Sequence, residues 1–242
     1  MLASRRVLAE KPEYQPLLTD RVALIANGLR RNPRLALESY PGECWTFDHV
    51  VALAAIRTAD YLDGSDHSPL IRDWVAMAKK RLVDPSSGLL ISTYTVDGTP
   101  TIGPEGSSLW MVAHCLQLID EPFARDQYER TRRELGHTTL GFGYAGEWPA
   151  AWKGPADIDS GPTIPFFDIS AGSSGMAFIG ASAFGDEAFL ASLNTTIDFA
   201  GFPSQTKGAL KYCASNPVGD AALLYAATLG PVWEKVKEGR KP

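Results

Sequence analysis

From residue 48 to residue 229 the chain repeats one two-part pattern: a nearly all-apolar segment, a short polar turn, then a segment with one apolar and one charged face. Val50, Val51, Leu53, Ala54, Ala55 and Ile56 crowd the first apolar segment, so residues 48–62 predict a helix buried on most sides. After the turn at 63–67, residues 68–82 set Leu70, Ile71, Trp74, Val75 and Met77 against Arg72, Asp73, Lys79, Lys80 and Arg81. That is the pattern of a covering helix with one wet face. The pair recurs at 107–119 with 123–135, and at 173–184 with 188–200. Residues 216–229 predict a fourth buried helix ahead of a charged tail. Upstream, residues 16–31 predict a further helix, with Pro16 at its start and Asn32-Pro33 ending it. The spacing is too irregular for a solenoid of fixed period. The expectation is an all-α fold of helical hairpins in one domain, with an N-terminal helical segment at 1–38, core hairpins at 39–230 and a charged tail at 231–242.

Turns inside each pair are short, whereas the links 83–106 and 136–172 are long and rich in Gly, Pro and aromatic residues. Long ordered links in a compact domain are where function concentrates. They are expected to gather, with residues 40–47, at one end of the buried helices.

The 242 residues are 45% hydrophobic with a net charge of −5, and Lys and Arg are scattered rather than blocked, so no nucleic-acid partner is expected. No apolar run approaches the ~20 residues of a membrane span, and the N-terminus lacks the apolar stretch of a secretory signal. A soluble, cytoplasmic protein is the expectation. Cys44, Cys115 and Cys213 are widely spaced without a CxxC pair, indicating neither a disulfide framework nor a zinc site. Cys115 and Cys213 read as core fillers, and His114 as a buried structural histidine. P-loop, GxGxxG, HExxH and GxSxG patterns are missing, so neither a metal nor a nucleotide cofactor is expected. Gly172-Ser-Ser-Gly175 reads as a helix start made of small residues suited to close packing.

The densest chemistry is Tyr40-Pro-Gly-Glu43-Cys44-Trp45-Thr-Phe-Asp48-His49, directly before the first apolar helix. Asp48 is placed to cap that helix or to serve as an acid or base in a pocket wall. A second acidic cluster, Asp157-Ile-Asp159-Ser-Gly-Pro162, shares its link with Tyr144, Glu147 and Trp148, and Glu105 precedes the helix that carries His114. Asp157 and Asp159 also suit a plain turn before Ser-Gly-Pro. Carboxylates meeting in an apolar mouth have their pKa values pushed apart, giving one proton donor and one acceptor.

These marks in this order, together with Asp84-Pro-Ser-Ser-Gly88-Leu-Leu and Phe184-Gly-Asp186, resemble the C-terminal two-thirds of the linalool dehydratase/isomerase-like family over residues 40–229. The resemblance implies an (α/α) barrel that dehydrates and isomerises a terpenoid alcohol without a cofactor, with its pocket at a subunit boundary. Where the family has two cysteines, this chain carries Asp48 and Ser39. Four apolar inner helices stand where a closed barrel of this class has six, so the expected toroid is incomplete. Exposed helix flanks then call for cover by another copy or by a partner chain.

The function expected is cofactor-independent acid–base chemistry on an apolar, terpenoid-like molecule: dehydration, isomerisation or cyclisation. Asp48 is the expected acid or base, Asp159 and Glu43 its counterparts. Tyr40, Cys44, Trp45, Glu105, Tyr144 and Trp148 are the expected lining. Two alternatives stand beside it: a carbohydrate-active toroid using two carboxylates, and a non-catalytic subunit that completes a larger barrel.

Overall fold

The computed structural model describes residues 1–156, 161, 163–164 and 167–239. Ten α-helices lie among them: α1 (Leu2–Leu8), α2 (Gln15–Arg31), α3 (Thr46–Asp63), α4 (Ser68–Arg81), α5 (Gly106–Leu116), α6 (Glu121–Leu135), α7 (Ala171–Phe184), α8 (Glu187–Ala200), α9 (Pro217–Ala227) and α10 (Pro231–Glu238). Short strands join them: β1 (Cys44–Trp45), β2 (Thr93–Tyr94), β3 (Pro100–Ile102), β4 (Gly136–Thr139), β5 (Phe142–Ala145), β6 (Thr163–Ile164), β7 (Ile169–Ser170), β8 (Pro203–Thr206) and β9 (Ala209–Tyr212). They form four small antiparallel sheets, β1-β2-β3, β4-β5, β6-β7 and β8-β9. The all-α expectation is therefore corrected to a mainly helical fold.

Two of these sheets are hairpins that the sequence does not announce. Residues Leu140-Gly141 and Lys207-Gly208 have positive φ at both positions, between register pairs Thr139–Phe142 and Thr206–Ala209. Two successive positive φ values make the primed turn that matches strand twist, but Asn or Asp usually stands at the first position. Leu and Lys there hide the signal.

The apolar segments become a row. α5 packs against α3 on one side and α7 on the other, α7 in turn packs against α9, and α6 and α8 cover α5 and α7. Gly180 lets α7 approach closely, since a Cβ there would stand 2.8 Å from the Trp110 ring. The amphipathic α6 buries Phe123, Ala124, Gln127, Tyr128, Thr131 and Leu135 and keeps its charges outside. Capping agrees with the sequence: Asp120 accepts the Phe123 N–H, Asp186 accepts the Phe189 N–H, and Gly64 and Gly185 end α3 and α7 at positive φ. Asp84 folds its own loop, accepting hydrogen bonds from the Ser86 and Ser87 hydroxyls and the Ser87 amide.

Burial thins toward the C-terminus. Nine residues of α5 are buried, six of α7 and, in α9, Ala226 alone. The expected fourth buried helix is therefore half-exposed, because among the described residues α9 packs chiefly against α7. The expected charged tail is instead α10, which packs on α1 and α3, buries Val236 and joins Lys237 Nζ to Glu121 at 2.8 Å. Cys213 is exposed rather than a core filler, whereas Cys115 is buried as expected. The main hydrophobic core runs from Val7 to Val236, and a small second cluster holds Ala3, Leu18 and Ala59.

Each helix of the row is entered from a strand: β1 leads into α3, β3 into α5, β7 into α7 and β9 into α9. Helices that return through hairpins start at the same end, so the long links meet there.

Candidate functional site

A groove of about 520 Å³ opens at this end, between α7, α8, α9 and the β8-β9 hairpin. Its apolar walls come from Met176 and Phe178, Leu193 and Ile197, and Ala222 and Leu223. No Asp, Glu, Lys, Arg or His is among the described residues that line it. Small residues open it: a Cβ on Gly175 would meet nothing within 4 Å. Within the stretch Gly172-Ser-Ser-Gly175, Gly175 leaves space on the groove side, while the fully buried Ser173 packs closely against Gly106 at the start of α5. Most polar groups of the lining are tied to the protein itself. Thr196 donates to Gly143 O at 2.6 Å, Tyr212 donates to Asp198 at 3.1 Å, and Asn216 Oδ1 accepts the Val218 and Gly219 amides.

Ser107 lines the groove from the first turn of α5, and behind it lies the fully buried Glu147. One Glu147 oxygen accepts the Ser107 amide at 3.0 Å and the Ser107 hydroxyl at 2.6 Å. The other accepts the hydroxyl of Ser170, the residue that caps α7 by taking the Ser173 amide at 3.0 Å. Ser173 Oγ in turn accepts Trp110 Nε1 at 3.0 Å. A buried carboxylate therefore joins the starts of α5 and α7, where the helix dipoles favour negative charge. Nothing in the sequence singled out Ser107, and Glu147 was noted only as a neighbour of Trp148. A glutamate following a hairpin strand carries no pattern that marks it as buried.

The residues expected to form one wall are distributed differently. Asp48 is exposed in the first turn of α3, in a smaller cleft of about 270 Å³ with Ile25, Leu29, Leu37, Glu38, Ser39 and His49. It does not cap the helix, because α3 starts two residues earlier, straight out of β1, with Trp45 at the cap position. Tyr40 is exposed, and Glu43 accepts Trp45 Nε1 at 3.2 Å. Cys44 is buried, its thiol pushed up to about 11 by burial and then by the charge of Glu38. Glu105 is buried before α5, with its amide on Ser92 Oγ at 3.0 Å. Tyr144 meets Thr139 Oγ1 at 3.2 Å, and Trp148 is half-buried with its indole N–H unbonded. None of these eight lines the larger groove. Asp157 and Asp159 lie outside the described residues. Among those described, no group of three or more His, Cys, Asp or Glu is placed to hold a metal ion, and no helix is long and apolar enough to cross a membrane.

His49 and His114 are both buried and bonded within the protein. His49 Nδ1 donates to Trp45 O at 2.7 Å and Nε2 accepts the Leu37 amide at 2.9 Å, which fixes a neutral ring. His114 Nε2 meets Tyr225 OH at 2.9 Å, and its ring stacks on Trp233 at 4.3 Å.

No protein-family model matches the chain, and no curated protein matches it. The site therefore rests on its geometry alone.

Proposed function

We propose that this chain is an (α/α) toroid of helical hairpins, short of a closed ring of six, that takes a small uncharged apolar molecule of terpenoid size into the α7–α8–α9 groove. The observation that carries this reading is the groove itself. Its volume falls in the range of small-molecule sites, and its lining offers apolar contact with few convergent polar groups. Cofactor-independent dehydration or isomerisation is the chemistry suggested by the resemblance to linalool dehydratase/isomerase-like proteins. In this chain the carboxylate nearest that chemistry is Glu147 behind Ser107, while Asp48 and Glu43 belong to the other face.

Thermal unfolding against ten-carbon prenyl alcohols and short oligosaccharides tests the reading. A ligand at 100 times its dissociation constant adds about 2.7 kcal/mol to the native state. Stabilisation by the alcohols is expected; stabilisation by the sugars alone would move the assignment to carbohydrate chemistry. Gly175→Leu is expected to fill the groove and abolish the alcohol response. The variant itself should be about 1 kcal/mol more stable, since a helix-interior glycine is replaced by a good helix former in open space. Retention of the full response in Gly175→Leu would place the ligand elsewhere.

A second reading, a subunit completed by another chain, is favoured by the exposed apolar residues Val218 and Leu224 on α9; Phe199, Phe202 and Leu210 are exposed as well. Light scattering is expected to give a mass above the 26.2 kDa of one chain, falling to one chain in Leu224→Glu. A wild-type monomer at micromolar concentration would sink it.

A further inference from the structure

Two hairpins meet the C-terminal end of α8, and large side chains exposed there are apolar. Leu140 at the tip of β4-β5 is 94% exposed, Phe199 in the last turn of α8 74%, Phe202 just before β8 68%, and Leu210 on β9 58%. They belong to one region. The Phe142 ring, two residues past Leu140, packs edge-on against Phe199 at 5.4 Å, and Thr196 of α8 donates to Gly143 O at 2.6 Å. On the other side the chain leaves α8 through Phe202, whose carbonyl accepts the Cys213 amide at 3.2 Å and closes the base of β8-β9. We infer that this end of the molecule is a docking surface for an anionic lipid bilayer, entered to the depth of the headgroups.

Backbone conformation separates these residues from an ordinary scatter of surface hydrophobes. Leu140 and Phe202 have φ of 53° and 49°, in the left-handed region that a residue with a Cβ rarely adopts. Asn or Gly would sit there with less strain. A large apolar side chain that is both strained and exposed contributes neither to the core nor to solubility. Strain of this kind persists where it serves a function.

Charge points to the partner. The whole chain carries −5, yet residues 135–146 and 199–219 hold no Asp or Glu, and the second stretch places exposed Lys207 at the β8-β9 tip and exposed Lys211 on β9. The nearest carboxylate along the chain, Asp198, accepts the Tyr212 hydroxyl at 3.1 Å. Lysines flanking exposed Phe and Leu suit a bilayer interface, with the apolar side chains among the acyl chain ends and the ammonium groups at the phosphates. Shape separates a bilayer from a second protein. Every residue of β8 and β9 but Tyr212 is exposed, so the hairpin has both faces free and stands off the body. A rigid protein surface covers one face of such a hairpin, whereas a fluid lipid interface surrounds it. Depth is limited by the backbone. Among the described residues β8 and β9 pair only with each other, and their outer edges carry N–H and C=O groups that hydrocarbon does not satisfy. The surface also borders the groove, which Ile197, Ala200, Gly201 and Tyr212 line.

The experiment uses the full chain and its sedimentation with phosphatidylcholine vesicles, with and without phosphatidylserine. Wild type is expected to bind the phosphatidylserine vesicles about tenfold more tightly than phosphatidylcholine alone, and less tightly as salt rises. Lys207→Gln together with Lys211→Gln should bring the two affinities within about threefold. Leu140→Asn together with Phe202→Asn should weaken binding to the phosphatidylserine vesicles by about tenfold or more. Asn tolerates the left-handed backbone, so this variant is expected to unfold at the wild-type temperature or above it, which separates lost binding from lost folding. Failure of the wild type to sediment with either vesicle overturns the inference, as do equal binding to both and binding unchanged in the Asn variant. A wild-type mass of two or more chains that falls to one in the Asn variant would give the face to a second copy and overturn it as well. Vesicle binding is read without any prenyl alcohol, so the groove reading stands or falls separately.

Discussion

Glu147→Ala is expected to cost about 3–5 kcal/mol of folding free energy, a large part of the roughly 5–15 kcal/mol that holds a domain of this size together. Removing the carboxylate leaves the Ser107 amide and the hydroxyls of Ser107 and Ser170 without their acceptor, at a position that is fully buried. Each buried donor left unmade costs about 1–3 kcal/mol, and bonds to a charged acceptor sit at the upper end. The loss also reaches further than one loop. Ser170 caps α7 and Ser173 anchors Trp110, so the starts of both central helices loosen together. Glu147→Gln keeps one acceptor oxygen but turns an amide N–H₂ toward a hydroxyl, and should cost about 1–3 kcal/mol. Urea unfolding followed by tryptophan fluorescence measures both. A loss below about 1 kcal/mol in the alanine variant would mean that water replaces the carboxylate and that the junction is not dry.

Acidification supplies the second large effect. Burial lowers the His114 pKa from 6.5 to about 4, offset in part by the Gln117 side chain and reinforced by the charge of Lys237. The unfolded chain then binds a proton near pH 6.5 that the folded chain refuses until about pH 4. Stability is therefore complete above pH 6.5 and falls as the pH drops through that window, by about 2–3 kcal/mol at pH 4.5 from this group. His49, also lowered chiefly by burial, adds in the same direction, since protonating Nε2 would break its bond to the Leu37 amide. Burial alone would raise the pKa of Asp84, but its hydrogen bonds from Ser86 and Ser87 hold it lower, so its contribution is lost only beneath the carboxylate range. Denaturation at pH 7 and pH 4.5 should show the loss. In His114→Phe, which keeps a ring against Trp233, the loss should shrink by more than half. Equal wild-type stability at both pH values would show that His114 is wetter than its surroundings imply.

The order and character of the helices were written in the residues. Strings such as Val50 to Ile56 must be largely buried, although Val51 ends up exposed, and charged stretches such as 124–134 cover, so helical hairpins followed from period and polarity. Caps at Asp120 and Asp186 and stops at Gly64 and Gly185 were local signals obeying local rules. The hairpin strands were less legible, because Leu140 and Lys207 occupy turn positions where Asn or Asp would have announced them.

The candidate site was legible only in part, because a site is a matter of which side chains face one another. Asp48 carried the right chemistry in the right sequence neighbourhood, yet helical geometry turned it toward α2 and away from the row. Glu147, Ser107 and Ser170 are far apart along the chain and individually ordinary. Packing of α5 against α7 brings them together, and the burial of Glu147 and Ser170 gives their hydrogen bonds weight. Sequence periodicity determined which faces are apolar. Tertiary structure alone decided which polar groups are sealed among them and where small residues leave a groove, because burial is a property of neighbours that no local pattern records.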